Sequence, residues 1–172
     1  MPSPRRLLSS DVERDAAAAL SELRQQLAVP SGFAAEVEEA ATRAVTNGPR
    51  ALGGVPRVDR RDLELITIDP AGSLDLDQAF TIHSLPNGYR LFYAIADVAS
   101  FVTPGDPIDL ESWSRGVTLY LPDQRSPLHP AALSEGGASL LAGFDRPCVL
   151  WQLDLDGPPS QTFLSSSSSD AS

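Results

Sequence analysis

The sequence predicts an α+β protein in which an N-terminal helical hairpin precedes a partial, mainly antiparallel mixed sheet and a disordered C-terminal tail. Helix-forming residues with stop signals fill most of the first 48 of the 172 residues. From residue 62 onward, short runs of β-branched and aromatic residues alternate with turns that contain proline and glycine. The chain closes with a serine-rich stretch that cannot bury apolar surface.

Two helices are predicted in the N-terminal segment, residues 1–48. The first covers residues 11–27, which are good helix formers with an apolar stripe at helical spacing, and a proline ends it. The second runs from about residue 33 to residue 45 and stops at an Asn-Gly pair. Residues 49–60, with a glycine pair between prolines, form a linker. The simplest role for these helices is structural cover for the next domain.

The predicted sheet domain, residues 61–157, is built from short strands. A Pro-Asn-Gly turn at residues 86–88 joins two of them into a hairpin. A short helix precedes Gly116, a residue type that commonly ends helices. The predicted elements are strands at 63–68, 79–82, 89–96, 117–121 and 147–155, a helix at 109–114 and an irregular stretch at 122–133. Residues 158–172 form the predicted disordered tail.

Composition excludes several classes of protein. The longest apolar stretch, residues 91–102, is interrupted by Asp97 and is far shorter than the roughly 20 residues needed to cross a bilayer. Acidic residues closely follow the first arginines, which leaves no apolar core for a secretory signal. The single cysteine, Cys148, excludes an intrachain disulfide. We therefore predict a cytoplasmic protein with no membrane partner.

The distribution of charge bears on phosphate binding. The formal net charge is −10, and all 13 basic residues are arginine. Residues 62–172 carry 4 arginines against 15 acidic residues, so the acidity lies in the predicted sheet domain and the tail. Such a balance opposes direct binding of a polyanion. A bound cation would invert the local sign.

Three carboxylates within nine residues form the most informative cluster. Residues 67–79, TIDPAGSLDLDQA, contain Asp69, Asp75 and Asp77. In extended backbone Asp75 and Asp77 point to one face, and the Pro-Ala-Gly-Ser turn can bring Asp69 toward them. Converging carboxylates repel by about 4 kcal/mol at ~4 Å, a cost that a hard divalent cation such as Mg²⁺ or Mn²⁺ removes. An ordinary aspartate turn explains the same residues, so both interpretations stay open at this point.

Several motifs in order resemble a known family. TIDPAGSLDLDQAF is followed by GYRLFYAIADVASFVTPGDPID, RGVTLYLPD and SPLHPAALSEGGASLL. Over roughly residues 61–155 they resemble the opening part of the RNB catalytic domain of the ribonuclease II and ribonuclease R family. The resemblance implies a processive, hydrolytic 3′ to 5′ exoribonuclease that acts on single-stranded RNA with Mg²⁺ and releases 5′-mononucleotides. It implies no DNA substrate and leaves the oligomeric state open.

The resemblance also assigns residues. By position, Asp69, Asp75 and Asp77 correspond to active-site aspartates that hold metal, and Asp77 is expected to be the most sensitive to substitution. Tyr120 in TLYLPD corresponds to the aromatic residue that stacks on the 3′-terminal base. Gln78 stands where the family has a fourth aspartate, and its neutral amide oxygen can ligate a cation but adds no charge. On residue type alone, Tyr120 suits a half-buried strand position equally well.

Two function hypotheses follow. The first is an RNB-type exoribonuclease. The second is a catalytically incompetent fragment or pseudoenzyme that retains at most metal, RNA or partner binding. The resemblance implies a domain that continues well beyond the strand at residues 149–155 and carries phosphate-binding arginines and a glutamate there. We therefore expect a truncated or frame-shifted fragment whose strands carry unpartnered apolar surface.

Four other side chains are given structural roles by the sequence. Asp97 is expected to cap or hydrogen-bond the turn that follows its strand. Trp113 and Trp151 are expected to pack in a core, and His129 to be an ordinary surface residue. Neither a P-loop nor a GxGxxG fingerprint occurs in the sequence.

Overall fold

A computed structural model describes residues 10–157, so the predicted disordered tail at 158–172 lies outside the described residues. The helices are α1 (Ser10–Gln26), α2 (Ala35–Asn47) and α3 (Pro107–Arg115), and the strands are β1 (Gln78–Leu85), β2 (Gly88–Ala96), β3 (Leu119–Tyr120), β4 (Arg125–Ser126) and β5 (Cys148–Asp156). The α+β class and both N-terminal helices are confirmed. No helix within residues 10–157 combines the length and the apolar character needed to cross a membrane.

The chain divides into two compact units. Residues 10–43 together with 102–130 form the first unit, and residues 44–101 together with 131–157 form the second. The first unit therefore contains α1, α3 and the β3–β4 pair. The second contains the sheet that β1, β2 and β5 build, and helix α2 passes from one unit to the other.

The sheet of the second unit is antiparallel, in the order β1-β2-β5. The turn at residues 86–88 joins β1 to β2 as predicted, with Leu85 paired to Gly88. Gly88 has φ 149°, and a Cβ atom there would lie 2.0 Å from the Leu155 carbonyl oxygen of β5. Only glycine fits this turn without displacing backbone, because the third strand passes directly beside it.

The predicted strand at residues 63–68 is wrong. Within this stretch only Ile66 forms a β-bridge, exchanging two hydrogen bonds of 2.9 Å with Phe80 of β1. The side chains of Leu63, Leu65 and Thr67 line a cleft in the second unit, whereas Ile66 is 57% exposed. The stretch has the alternation of a strand but pairs at one residue only, so no ladder forms.

One face of the sheet is packed. Ala79, Phe92 and Ala94 point to this face and are at most 5% exposed. The adjoining cleft has a volume of about 970 Å³ and combines leucine side chains with four arginines from the second unit. The buried core of the second unit therefore lies on this side of the sheet.

The first unit shows how local signals define α3 and the strands after it. The Asp106 side chain accepts from the Asp109 N–H at 2.9 Å and caps the helix, and Gly116 at φ 75° ends it. The helix is confirmed and is longer than predicted. The predicted strand at 117–121 is reduced to β3, because the Leu121 N–H bonds to the Gln124 carbonyl and turns the chain back into β4.

Candidate active site

The aspartate-bearing segment, residues 67–77, enters β1 without regular secondary structure. The Ser73 N–H donates to the Pro70 carbonyl at 3.1 Å and closes a tight turn. Gly72 in this turn has φ 89°, a left-handed conformation that favours glycine. The turn predicted between Asp69 and the two later aspartates is therefore confirmed.

Leu76 is held by both of its backbone polar groups. Its N–H donates to the Ser139 hydroxyl oxygen at 2.9 Å, and its carbonyl accepts from the Leu140 N–H at 2.7 Å. An N–H and a carbonyl of one residue that point to the same neighbour are typical of extended backbone. In such backbone the side chains on either side of Leu76, those of Asp75 and Asp77, lie on one side of the segment.

The three predicted aspartates differ in their surroundings. Asp69 and Asp77 are exposed, whereas Asp75 is partly buried. The Ala96 N–H at the end of β2 donates to the Asp77 carbonyl at 2.9 Å and fixes the backbone there. Among residues 10–157, no group of three or more aspartate, glutamate, histidine or cysteine side chains lies close enough to hold a metal ion. The structure therefore places Asp75 and Asp77 in alternation but does not gather all three carboxylates.

Gln78 is the first residue of β1 and has a neighbour on β2. The Tyr93 hydroxyl donates to the Gln78 side-chain oxygen. Since an amide oxygen has two lone pairs, one of them is engaged by this bond.

Two alternating carboxylates nevertheless fit Mg²⁺, which commonly binds through one or two carboxylates together with water and substrate phosphates.

Sequence reasoning missed Ser139 as part of this site. Ser139 is 2% exposed, and its hydroxyl donates to the Leu74 carbonyl at 2.6 Å while accepting from the Leu76 N–H. One buried hydroxyl thus fixes the backbone on both sides of Asp75. The available signal was a serine between apolar residues in GGASLL, which would be costly to bury without partners.

The arginines of the second unit are largely neutralised by nearby carboxylates. The ion pairs are Arg57–Asp97, Arg60–Asp62, Arg61–Asp59, Arg61–Asp145 and Arg90–Asp154. The side-chain hydrogen bonds from Arg61 lower the pKa of Asp59 to about 2, and those from Arg90 lower the pKa of Asp154. Because these arginines already hold carboxylates, RNA phosphates approaching the second unit would need another source of positive charge.

Asp97 has the structural role predicted for it. Its side chain is 8% exposed, accepts from the Ser100 N–H at 3.2 Å and pairs with Arg57 at 3.0 Å. It thereby caps the short 3₁₀-helix Val98–Ser100 that follows β2. The same arginine also donates to the Arg50 carbonyl, which ties the linker residues to this corner.

Tyr120 lies in the first unit, on the short β3–β4 pair. It is paired with Arg125 and is 77% exposed, so the prediction of an exposed stacking ring is compatible with its position and the half-buried alternative is wrong. Arg24 of α1 binds Asp123 at 2.6 Å in the turn that follows Tyr120. Trp113 on α3 was predicted to pack but is 81% exposed, which makes it a second aromatic available for stacking.

Arg115, at the end of α3, joins several segments of the first unit. Its side chain is 3% exposed. It contacts the Glu111 carboxylate at 2.8 Å, the Ser126 hydroxyl at 3.3 Å, the Pro127 carbonyl at 3.1 Å, the Gly32 carbonyl and the face of the Phe33 ring. The Ser126 hydroxyl also donates to the Pro30 carbonyl at 2.8 Å. The β3–β4 pair is therefore fixed to the segment that follows α1.

His129 is not the ordinary surface residue that the sequence suggested. It is partly buried, and its Nδ1 lies 3.1 Å from the Ser112 hydroxyl of α3. That hydroxyl donates to the Ile108 carbonyl at 2.7 Å, so its oxygen is left to accept from the histidine ring. Burial lowers the pKa of His129 below its usual value of 6.5.

This burial predicts a pH dependence of stability. The lowered pKa means that His129 stabilises the fold fully above pH 6.5, and that the contribution is lost as the pH falls through the folded-state pKa. As the pH falls from 7 to 5, the free energy of unfolding of the wild type should decrease more than that of His129→Gln, by at most about 1.4 kcal/mol per pH unit. Urea denaturation of both proteins measures this difference, and parallel pH curves would contradict it.

The structure is thus that of an α+β protein in which a fixed segment with carboxylate side chains leads into the sheet. Residues 57–165 match the family model of the RNB domain. Because the match covers more than half of the 172 residues, the chain belongs to the RNB domain family. The resemblance noted in the sequence is thereby confirmed.

Relatives and solved structures agree with this assignment. The chain is 41% identical to ribonuclease R of Acidithiobacillus ferrooxidans over 106 residues, 62% of this chain and 24% of that protein. It is 39% identical over 123 residues to both DIS3-like exonuclease 2 and inactive exonuclease DIS3L2 of Arabidopsis thaliana, 66% of this chain and 12% of each. Apo RNase R of Mycoplasma genitalium matches 80% of this chain and 21% of its own length, with 28% identity and a TM-score of 0.67. The chain thus spans a quarter or less of the length of these relatives.

Proposed function

We propose that this chain provides part of the catalytic domain of an exoribonuclease that hydrolyses single-stranded RNA from 3′ to 5′ and releases 5′-mononucleotides. The observation that carries the proposal is the alternation of Asp75 and Asp77 about the fixed residue Leu76, in a member of the RNB family. Mycoplasma genitalium RNase R has been solved in complex with a ribose-methylated single-stranded RNA, and that structure matches 72% of this chain with 29% identity and a TM-score of 0.61. RNA, and not DNA, is therefore the substrate class we propose.

We propose that Asp69, Asp75 and Asp77 hold Mg²⁺, for which Mn²⁺ can substitute. When bound, the cation supplies charge stabilisation at the attacked phosphate and lowers the pKa of a water molecule. Gln78 can join the ligands only by sharing the amide oxygen that accepts from Tyr93. Divalent charge also explains how an acidic unit in which four arginines are paired with carboxylates can accept a polyanion.

Hydrolysis forms a bond between a water oxygen and the terminal phosphorus and breaks the bond from that phosphorus to the neighbouring O3′, which takes up a proton. We propose that Asp77 is the carboxylate most sensitive to substitution, because its backbone is fixed to Ala96 while its side chain faces solvent. The bonds that Ser139 makes on both sides of Asp75 hold that residue in register. Preorganisation of this kind reduces the cost of reaching the transition state.

We propose that Tyr120 stacks on the 3′-terminal base. Tyr120→Ala should weaken binding of single-stranded RNA by about 1–3 kcal/mol, the usual contribution of one stacked base. Tyr120→Phe keeps the ring and should bind like the wild type. Fluorescence anisotropy with labelled RNA, in an Asp77→Asn background that slows turnover, measures both. Equal affinity of the alanine and phenylalanine variants would contradict the assignment.

A second candidate function is that of a pseudoenzyme or catalytically incompetent fragment that binds metal, RNA or a partner without turnover. The engagement of Gln78 by Tyr93 favours it, as does the lack of a three-group metal cluster within residues 10–157. The chain is equally identical to DIS3-like exonuclease 2 and to inactive exonuclease DIS3L2 of Arabidopsis thaliana, which gives no preference between the two candidates.

One assay separates the two candidates. A 20-nucleotide single-stranded RNA labelled at its 5′ end is incubated with the purified chain and Mg²⁺. The first candidate predicts a ladder that shortens from the 3′ end, is abolished by EDTA and is absent with DNA of the same sequence. RNA binding without a ladder would favour the second candidate, and a ladder that persists in EDTA would contradict the metal assignment.

We also propose a division of the chain by role. Residues 61–157 would carry the catalytic part, residues 1–48 the helical cover, residues 49–60 the linker, and residues 158–172 a tail.

The cytoplasm is the compartment we propose, since RNA substrates for such an enzyme are found there. Fractionation of cells that express a tagged full chain tests this location.

A further inference from the structure

Residues 139 and 140 hold the middle of the aspartate-bearing segment. The Ser139 hydroxyl donates to the Leu74 carbonyl at 2.6 Å and accepts from the Leu76 N–H at 2.9 Å. The next N–H, that of Leu140, donates to the Leu76 carbonyl at 2.7 Å. All of these residues belong to the second unit. The position of Ser139 therefore governs the position of Asp75, which lies between the two bonded leucines.

Ser139 is fixed on its N-terminal side by a buried turn. The π-helix Ala132–Gly137 ends two residues before it, and the Ala138 N–H donates to the Leu133 carbonyl at 2.9 Å. Leu133 and Ala138 are at most 1% exposed. Single turns of π-helix are frequent at functional sites. On the C-terminal side, a loop of residues 140–146 leads to β5 and needs an anchor of its own.

Arg146 provides that second anchor. Its Nε donates to the Ser139 carbonyl at 2.9 Å, which closes the loop of residues 140–146. The guanidinium carbon lies 4.6 Å from the centre of the Phe144 ring, a cation–π contact that restrains the side chain. One side chain thus ties the start of β5 to the residue that holds the aspartate-bearing segment.

The backbone beside Arg146 is itself fixed to the end of β2. The Pro147 carbonyl accepts from the Asp97 N–H at 3.1 Å, and a proline restricts the backbone of the residue before it. The neighbouring N–H, that of Ala96, bonds directly to the Asp77 carbonyl at 2.9 Å. The end of β2 therefore reaches the aspartate-bearing segment by two routes, one directly at Asp77 and one through Arg146.

We propose that Arg146 is a positioning residue for the carboxylates Asp75 and Asp77, and that it acts through Ser139. This role rests on the function proposed above, in which these carboxylates hold Mg²⁺. Without the guanidinium, the Ser139 carbonyl loses its donor and the loop loses its closing bond. The aspartate-bearing segment is then held less firmly, so the two carboxylates meet a cation in the right geometry less often. Groups that orient metal ligands typically contribute 10–100-fold to metal affinity.

The sign of the effect separates positioning from simple charge. Arg146 is a cation in the unit that would bind a cation, so Coulomb repulsion alone would make Arg146→Ala bind the metal more tightly. Loss of positioning makes it bind more weakly. Arg146→Ala should raise the dissociation constant of Mn²⁺ by about 10–100-fold, measured from the electron paramagnetic resonance signal of the free ion. Arg146→Lys keeps a donor on a side chain of similar length and should raise it less.

Two further variants make this result specific. Arg90→Ala removes the same charge from β2, where the arginine bonds to Asp154, and should keep the dissociation constant within about twofold of the wild type. Ser139→Ala should weaken Mn²⁺ binding as Arg146→Ala does. If Arg146 acts through Ser139, the loss in the double variant is smaller than the product of the two separate losses. Losses that multiply in full would overturn this route.

Amide hydrogen exchange tests the positioning without any metal. The N–H groups of Leu76 and Leu140 make two of the bonds between the segments. Arg146→Ala should speed up their exchange at least tenfold through local opening. The Phe80 N–H, which donates to the Ile66 carbonyl at 2.9 Å, should exchange as in the wild type. Unchanged exchange at both leucines would overturn the role of Arg146, and so would equal acceleration at Phe80, which indicates a loss of overall stability.

The Mn²⁺ titration also separates failure of this role from failure of the proposed function. A wild type that binds Mn²⁺ no more tightly than Arg146→Ala would overturn the role of Arg146 and leave the metal assignment intact. A wild type that binds no Mn²⁺ would overturn the metal assignment, and the role of Arg146 with it.

Discussion

Asp77→Asn is expected to lower the rate of 3′ shortening of single-stranded RNA by about 10²-fold or more, the loss typical for removal of a group that stabilises transition-state charge. The substitution is isosteric and removes one charge from an exposed side chain. It keeps the backbone carbonyl that accepts from the Ala96 N–H. Circular dichroism and the melting temperature should therefore match the wild type, while the initial rate of mononucleotide release falls.

Two companion variants make this result specific. Asp156→Asn removes the same charge from an exposed position on β5, outside residues 67–77, and should keep the rate within about twofold of the wild type. Asp75→Asn should be partly rescued by raised Mg²⁺, because its loss is one of metal affinity. A rate for Asp77→Asn within threefold of the wild type would contradict its assigned role, as would an equal loss in Asp156→Asn.

The parts of the fold that were predictable are those whose signals are local. The turn at residues 86–88 has the composition of a hairpin connection, and it joins β1 to β2 as expected. Helix α3 lies between a capping aspartate, Asp106, and Gly116. In each case the residues that decide the structure lie within the element or beside it, so a single sequence contains the information.

The parts that were not predictable depend on distant partners. Residues 63–68 alternate like a strand, but only Ile66 finds a partner, and nothing in the stretch reveals how many residues the neighbouring strand will pair. The role of Ser139 comes from Leu74 and Leu76, more than sixty positions away. The contact between His129 and Ser112 joins residues on either side of the β3–β4 pair. Such contacts exist only once the chain has folded.

The candidate site shows the same division. The alternation of Asp75 and Asp77 follows from their spacing, and extended backbone at Leu76 agrees with it. Spacing could not show that residues 10–157 contain no metal-binding group of three such side chains, nor that Tyr93 would take up the amide oxygen of Gln78. The spacing of the candidate site residues is therefore readable from sequence, whereas their convergence depends on tertiary structure.

Arg115→Ala is expected to reduce the free energy of unfolding by about 3–5 kcal/mol, the cost of removing one partner from a buried ion pair. The guanidinium is almost fully buried and donates to groups from three separated segments, one of them 83 positions away. Alanine would leave the partly buried Pro127 carbonyl without this donor, and a buried unsatisfied group costs about 1–3 kcal/mol. Urea denaturation followed by circular dichroism measures the change.

The conservative variant and an exposed pair provide the controls. Arg115→Lys keeps the charge but loses the planar guanidinium that donates to several acceptors at once. Its free energy of unfolding should therefore lie between those of the wild type and the alanine variant. Arg43 pairs with Glu39 at 3.5 Å on α2, with both side chains more than 60% exposed, and Arg43→Ala should cost under about 0.5 kcal/mol. The two ion pairs share the same chemistry and the same helical spacing, and they differ in burial and in the number of groups that converge on the arginine. Equal losses of unfolding free energy in Arg43→Ala and Arg115→Ala would therefore show that burial and convergence at Arg115 contribute nothing.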